Sequence, residues 1–261
     1  MRRHTLTVVA VLALVYLLLP IAVVLAFSFN DPPGRFNFTW ERFTFDNWLN
    51  PFGFPGLRDS VMLSLEIALF SSIVATVLGT LIALALVRYD FRGRNTTNLL
   101  IFLPMAAPEI VMGSSLLTLF LNYSVPLGFT TILLAHIMFN ISFVVVTVRA
   151  RLAGFDRHLE EAAMDLFADP WTTFYRVTLP LIFPGVLAAG LLAFALSVDD
   201  FVITYLVSGS EQTFPLFVWG AARVAVPPQI NVIGSAIFLV AVLLMFLNIL
   251  FQWRRAPKGA A

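Results

Sequence analysis

The chain of 261 residues has no cysteine, a single lysine and only 12% charged side chains. Without cysteine there are no disulfides, no thiol chemistry and no cysteine-held metal, and the redox compartment stays open. The charge content is about half the ~25% of an average soluble domain. Together with 59% apolar residues and a mean hydropathy of +0.90, it puts the chain in a bilayer. A net charge of +1 leaves no electrostatic footprint for nucleic acid, so none is expected as a partner. No Gly-x-x-x-x-Gly-Lys-[Ser/Thr] run occurs, which excludes nucleotide binding through a phosphate-binding loop. The histidines, His4, His136 and His158, are scattered without carboxylates at ligand spacing, so no metal site is expected. No Ser-His or Glu-x-x-His arrangement marks a catalytic residue, and a transport role is expected in place of an enzyme.

What the chain has in abundance is long apolar runs. About 20 such residues in a helix cross a hydrocarbon core of ~30 Å, and windows of that size fall at 6–27, 61–87, 99–121, 128–148, 181–207 and 232–253. They are continuous, unlike the alternating segments of about ten residues in a barrel strand. The expected fold is all-α, a polytopic protein with six transmembrane helices forming one membrane domain over 1–261. Basic residues near span ends set orientation. An internal N-terminus puts Arg2, Arg3, Arg88, Arg92, Arg94, Arg149, Arg151, Arg157, Arg176, Arg254, Arg255 and Lys258 inside, and Arg35, Arg42, Arg58 and Arg223 outside. Both termini are therefore expected on the cytoplasmic side. The first window follows Met-Arg-Arg-His but exceeds the ~7–15 residues of a secretory signal core, so it reads as a retained anchor.

Three connecting features stand out. The external segment 28–60 carries Phe36, Phe38, Trp40, Phe43, Phe45 and Trp48, suited either to the headgroup layer or to docking an external partner. Pro104 and Pro108 interrupt the third window and predict a kinked helix facing the bundle interior, where freed carbonyls find partners. An apolar stretch at 214–226 predicts a short interfacial helix.

The inner loop, about 156–180, is the longest polar interruption on the cytoplasmic side. Asp156 is a candidate N-cap for a helix over 159–166, on which Glu161 and Asp165 share one face beside a strip of Ala162, Ala163 and Leu166. Asp169-Pro170 ends that helix and starts a second, with Asp as cap and Pro at the first position. This second helix runs to Leu179-Pro180, where the fifth window begins. The pattern resembles the EAA loop of membrane subunits in ATP-binding-cassette importers, matched by Glu161, Ala162, Ala163, Asp165, Ala168 and the closing Leu179-Pro180. Phe167 departs from it, standing where the family usually has glycine, whose freedom to take an unusual φ a phenylalanine does not share. The resemblance implies a coupling helix that fits a cleft on a separate ATPase, with Glu161, Ala162, Ala163, Asp165, Phe167, Ala168 and Pro180 as the coupling residues. ATP and magnesium would then belong to that partner, and this chain would hold no cofactor.

Carboxylates within spans are expensive and point to function. Glu66, Glu109, Asp199 and Asp200 lie in or at the apolar windows with no Lys or Arg to neutralise them. They favour a cationic substrate, with Tyr205 placed for cation-π contact. Each also has a plainer reading: Glu66 at the interface, Glu109 bonding backbone groups freed by Pro108, and Asp199 and Asp200 at a bent helix end near water. His136 and Asn140, four apart, share a helix face and either hydrogen-bond between helices or join the substrate path.

Pro108-Glu109-Ile110-Val111-Met112-Gly113, the run 143–148, Leu152-Ala153-Gly154-Phe155-Asp156 and Leu196-Ser197-Val198-Asp199-Asp200-Phe201 resemble the second permease subunit of spermidine/putrescine importers. That likeness implies a type I importer fold (MetI-like) in the bacterial inner membrane and a heterodimer with a related permease. It also implies two copies of an ATPase, an extracytoplasmic binding protein and a polyamine substrate. An importer of an osmolyte, iron chelate or sugar is the first alternative, and a proton-coupled secondary transporter the second.

Overall fold

The computed structural model describes residues 2–255, with side chains described for 6–243 and for Phe246. Lys258 lies outside the described residues, as do the side chains of Arg2, Arg3, His4, Arg254 and Arg255. In chain order the helices are α1 (Arg2–Phe27), α2 (Asp46–Leu49), α3 (Leu57–Arg88), α4 (Arg94–Ala106), α5 (Glu109–Asn122) and α6 (Phe129–Ala153). Then come α7 (His158–Asp165), α8 (Pro170–Thr173), a π-helical turn (Phe174–Thr178), α9 (Leu179–Asp199), α10 (Val202–Val207), α11 (Phe214–Ala221) and α12 (Pro228–Arg255). Among the described residues extended structure is confined to two isolated bridges, Asn30 with Phe43 and Phe36 with Val226. Hydrocarbon offers backbone groups no partner, and a helix satisfies them within itself.

Four helical runs are long and apolar enough to cross a bilayer: Leu6–Phe27, Leu57–Arg88, Phe129–Ala153 and Pro170–Asp199. The third window is not one kinked helix but two, α4 and α5, meeting at 109°. Pro108 is the cause, since it pushes the preceding Ala107 into extended backbone (φ −75°, ψ 140°) and is itself extended. Pro104 removes one internal bond and leaves α4 intact. The fifth window also divides, into α9 and the short α10, at Asp200 (ψ 123°). In the sixth, the stretch Pro228–Leu243 is a shorter apolar helix within α12. The predicted interfacial helix at 214–226 is α11, which stops at Ala221.

The chain forms two compact units, residues 1–58 with 218–261, and residues 59–217. In the first, α1 packs on α12, and the external segment is an ordered knot. Asn30 donates from Nδ2 to Asn37 Oδ1 (2.7 Å) and Thr39 O (2.7 Å), and Asn47 donates to the Ser28 and Asn30 carbonyls. The Phe29 ring stacks on Phe43 and Trp48 around this centre. The aromatic scatter in the sequence is thus partly a packed cluster, which Phe45 joins edge-on against Phe29 and Phe43, while its outer rings, Phe43 and Phe45 among them, remain exposed.

The second unit is built on α3, α6 and α9. Ala75, Ala83 and Leu86 of α3 meet Val144, Val145 and Val148 of α6 and Ile182, Ala189 and Ala193 of α9. A second cluster joins Ile67, Met112, Leu116, Phe139 and Ile203. Lipid tails are as apolar as these side chains, so close packing supplies the association. Gly79 permits it: a Cβ there would lie 2.6 Å from Val144 Cγ1. Gly79→Val should therefore destabilise the protein by about 1–3 kcal/mol through overpacking, read as a lower Tm of the detergent-purified chain. An unchanged Tm would show that α3 and α6 have room to separate.

Candidate functional site

The inner loop is pinned by a residue that its motif does not include. Glu160, on the first turn of α7, accepts through Oε1 from Arg88 Nη2 at the end of α3 and from the Thr178 hydroxyl at the end of the π turn. Arg88 Nη2 also lies 3.4 Å from Thr178 Oγ1. Both charged side chains are largely buried, so one carboxylate ties the loop to two spans. The neighbouring Glu161 faces outward and, among the described residues, meets only His158, with 3.1 Å between Oε2 and Nδ1. Ala162 and Asp165 are also exposed, and Ala163 and Ala168 partly so.

Local chemistry sets each bend. Helix α7 begins one residue earlier than its sequence suggests, capped at Arg157, and Asp156 accepts the His158 N–H at 3.0 Å without being the cap itself. At the other end, Phe167 N–H donates to Met164 O (2.9 Å) and Ala168 N–H to Ala163 O (3.1 Å), the paired bonds of a Schellman closure. That closure requires a left-handed residue, and Phe167 supplies it with φ 65°. The expectation that phenylalanine refuses this conformation is corrected: the two bonds hold it there against a cost of about 1–2 kcal/mol. Asp169 then caps α8, accepting the Thr172 N–H at 3.1 Å with Pro170 at the first position. Hydrogen bonds from Thr172, those of its side chain foremost, hold the Asp169 carboxyl below the usual carboxylate range.

The second short helix runs into the fifth window, as its sequence suggests, and does so without a break. Pro180 has no N–H for the Arg176 carbonyl and its ring crowds that position. The chain widens by one residue, Leu179 N–H reaching Phe174 O across the π turn, and helix runs unbroken over Pro170–Asp199.

Inside the unit, His136 and Asp200 come together. His136 Nδ1 lies 2.6 Å from Ser197 Oγ, and Nε2 lies 2.9 Å from Thr204 Oγ1 and 3.3 Å from Asp200 Oδ2. Thr204 gives both its N–H (2.8 Å) and its O–H (2.6 Å) to Asp200 Oδ2. Its only hydroxyl proton is thereby used, so the imidazole carries a proton on Nε2. Ser197 Oγ continues to Ser71 Oγ at 3.1 Å. The network joins α3, α6, α9 and α10 at the break between the last two, and His136 and Asp200 are only 3% and 6% exposed. Asp200 therefore has a partner, which corrects the expectation of four unneutralised carboxylates. It sits in the packing and not on a surface.

The other predicted path residues are placed differently. Glu66, Glu109, Asp199 and Tyr205 are exposed, and the three carboxylates form no ion pair or side-chain hydrogen bond among the described residues. Glu109 starts α5, where the helix dipole favours a negative charge, whereas Asp199 ends α9, where it does not. Tyr205 packs against Phe201, ring centroids 5.7 Å apart. Asn140 is buried, and neither amide atom has a hydrogen-bond partner among the described residues. Sequence reasoning passed over Ser114, Ser115 and Thr118, which line a shallow groove on α5 with Ile110 and Val111. Each hydroxyl bonds back to the carbonyl four residues earlier, which makes it tolerable in a membrane.

The arrangement is that of importer permeases. A chain of a bacterial alginate importer complex matches it with a TM-score of 0.64 at 14% identity, covering 98% of each chain. A chain of the MetNI methionine transporter, in inward-facing conformations, matches with 0.58 at 15%, covering 74% of this chain and 92% of that one. Residues 75–255 match the family described as binding-protein-dependent transport system inner membrane component, and the chain belongs to it. It is a multi-pass protein of the bacterial inner membrane. Two relatives from Escherichia coli K12 are similar over nearly their whole length. They are the spermidine/putrescine permease protein PotC, 38% identical over 94% of this chain and 92% of the relative, and the putrescine permease protein PotI, 37% identical over 88% and 84%.

The polar network yields a contrast between adjacent acids. Asp200→Ala strands the buried His136 and Thr204 donors and should lower stability by about 1–3 kcal/mol, whereas Asp199→Ala, at an exposed site, should stay within about 0.5 kcal/mol. Thermal unfolding of the purified chain measures both; equal effects would refute the placement of Asp200.

Proposed function

We propose that this chain is one of two related permease subunits in an ATP-driven polyamine importer, spanning the membrane six times as a single domain with both termini in the cytoplasm. The observation that carries this reading is the identity to PotC over 94% of the chain. The same likeness supports a reading with three kinds of partner: a second permease, two ATPase copies that hold ATP and magnesium, and an extracytoplasmic binding protein that delivers substrate. The chain itself carries no cofactor.

The geometry gives the parts their work. The docked ATPases move the inner loop, Glu160 passes the displacement to Arg88 on α3 and Thr178 before α9, and the path opens outward. A polyamine needs anionic groups to replace its hydration, spaced so that release stays possible. Asp199, Glu109 and Glu66 are free carboxylates on span surfaces, and Asp199 is held at the unfavourable end of a helix dipole. An acid kept there against its local electrostatics fits a role toward a cation.

Uptake of labelled spermidine and putrescine in a transport-null strain expressing the chain with its partner subunits tests the reading. Vanadate-sensitive uptake that spermidine competes is expected, and none would sink the substrate assignment. In that assay Asp199→Asn should raise KM about tenfold, the equivalent of ~1.4 kcal/mol, with assembly unchanged. Glu160→Ala breaks a largely buried pair at a cost on the order of 3 kcal/mol. It should abolish uptake while the complex still assembles, and normal uptake would remove Glu160 from the transmission.

A further inference from the structure

The tip of the inner loop presents an apolar group that nothing among the described residues covers. Phe167 is 98% exposed, Leu166 beside it 82%, and Trp171 across the turn 68%. Phe167 holds a left-handed backbone (φ 65°), a conformation that asparagine or glycine adopts more easily. The fold gains nothing from the ring, since it packs on no neighbour, and loses by the strain. A strained residue whose side chain is displayed and unburied is accounted for by a surface outside the chain.

Two surfaces compete for it, the bilayer and a protein. Asp165 and Asp169 flank the tip, both exposed, and Asp169 is held ionised by its hydrogen bonds from Thr172. Carboxylates on both sides of an aromatic are repelled by an anionic inner leaflet. They suit an apolar pocket rimmed by basic side chains. The two Schellman bonds fix the ring's direction and lower the entropy lost on docking.

We propose that Phe167, with Leu166, is an anchor that fills an apolar, basic-rimmed pocket in the docking cleft of this permease's ATPase and so determines which ATPase it accepts. The inference rests on the importer reading above and adds a specificity determinant to it. A glycine at this position leaves such a pocket empty, and an ATPase shaped for glycine has no space for the ring.

Binding of the purified ATPase to the permease heterodimer in nanodiscs tests the anchor. Phe167→Gly and Phe167→Asn keep the left-handed turn and remove the ring; each should weaken binding on the order of tenfold while the unliganded permease stays as stable as the parent or more so. Phe167→Trp keeps an aromatic and should bind far better than either. Parent-like binding by the Gly and Asn variants would overturn the anchor while leaving the importer reading intact. If the parent permease binds no ATPase, the importer reading itself fails. Because the chain has no cysteine, Met164→Cys, exposed beside the tip and leaving Phe167 in place, gives this chain a single site for a fluorophore. ATPase addition should shield that probe from an aqueous quencher; quenching by spin-labelled lipid, unchanged by ATPase, would assign the tip to the membrane and overturn the proposal.

Discussion

Hydrocarbon has no hydrogen-bonding partner to offer, and that constraint orders this structure from backbone to side chain. Helix satisfies the backbone wherever apolar sequence runs on. Where proline or a turn interrupts it, between α4 and α5 and between α9 and α10, something local has to take up the freed groups. At the second break it is Asp200, which accepts both donors of Thr204 and lies beside His136. The hydroxyls of Ser114, Ser115 and Thr118 answer the same demand by bonding back into their own helix. Among the described residues, the ionisable groups at these breaks are either closed on one another, as at His136 and Asp200, or displayed without a partner, as at Asp199, while the neutral amide of Asn140 is buried without one. The displayed ones are where a ligand has something to gain.

The end that carries the loop follows a different logic, because a single pair beside water matters only when it is sheltered. Glu160 is sheltered, shared between Arg88 and Thr178, while Glu161 one residue on is in solvent beside His158. Two adjacent acids thus divide the work between holding the loop to the spans and facing outward. The π turn belongs to the holding side. By accommodating Pro180 without a break, it leaves the loop's second helix and the fifth span as one body.

Legibility from sequence tracks the range of the interaction. Continuous apolar runs predict the spans because burial in lipid reads one segment at a time, and Asp169-Pro170 predicts its cap because the capping bond reaches only to Thr172. The pairing of Arg88 with Glu160, across 72 positions, leaves no mark in either segment. A bent helix end at Asp199 and Asp200 is one of the readings the sequence offers, but the partner of Asp200 lies 64 positions earlier at His136 and leaves no local mark. Phe167 is the instructive miss. Residue preference argued against a left-handed phenylalanine, but preference is a weak term beside two backbone hydrogen bonds that close the helix.

These local solutions lie on one rod. The helical run Pro170–Asp199 contains 30 residues, which at ~1.5 Å per residue is about 45 Å long, enough to reach from one membrane face to the other. One end carries the capped turn and the Thr178 contact with Glu160, and the other stops at Asp199 against the His136–Asp200 network. The run stays continuous through the π turn and Pro184, so its two ends belong to one helix that stops at the joint with α10. There the chain has one free acid and one pinned acid in succession. In the proposed importer, a rod that moves the first relative to the second changes what the exposed carboxylate faces.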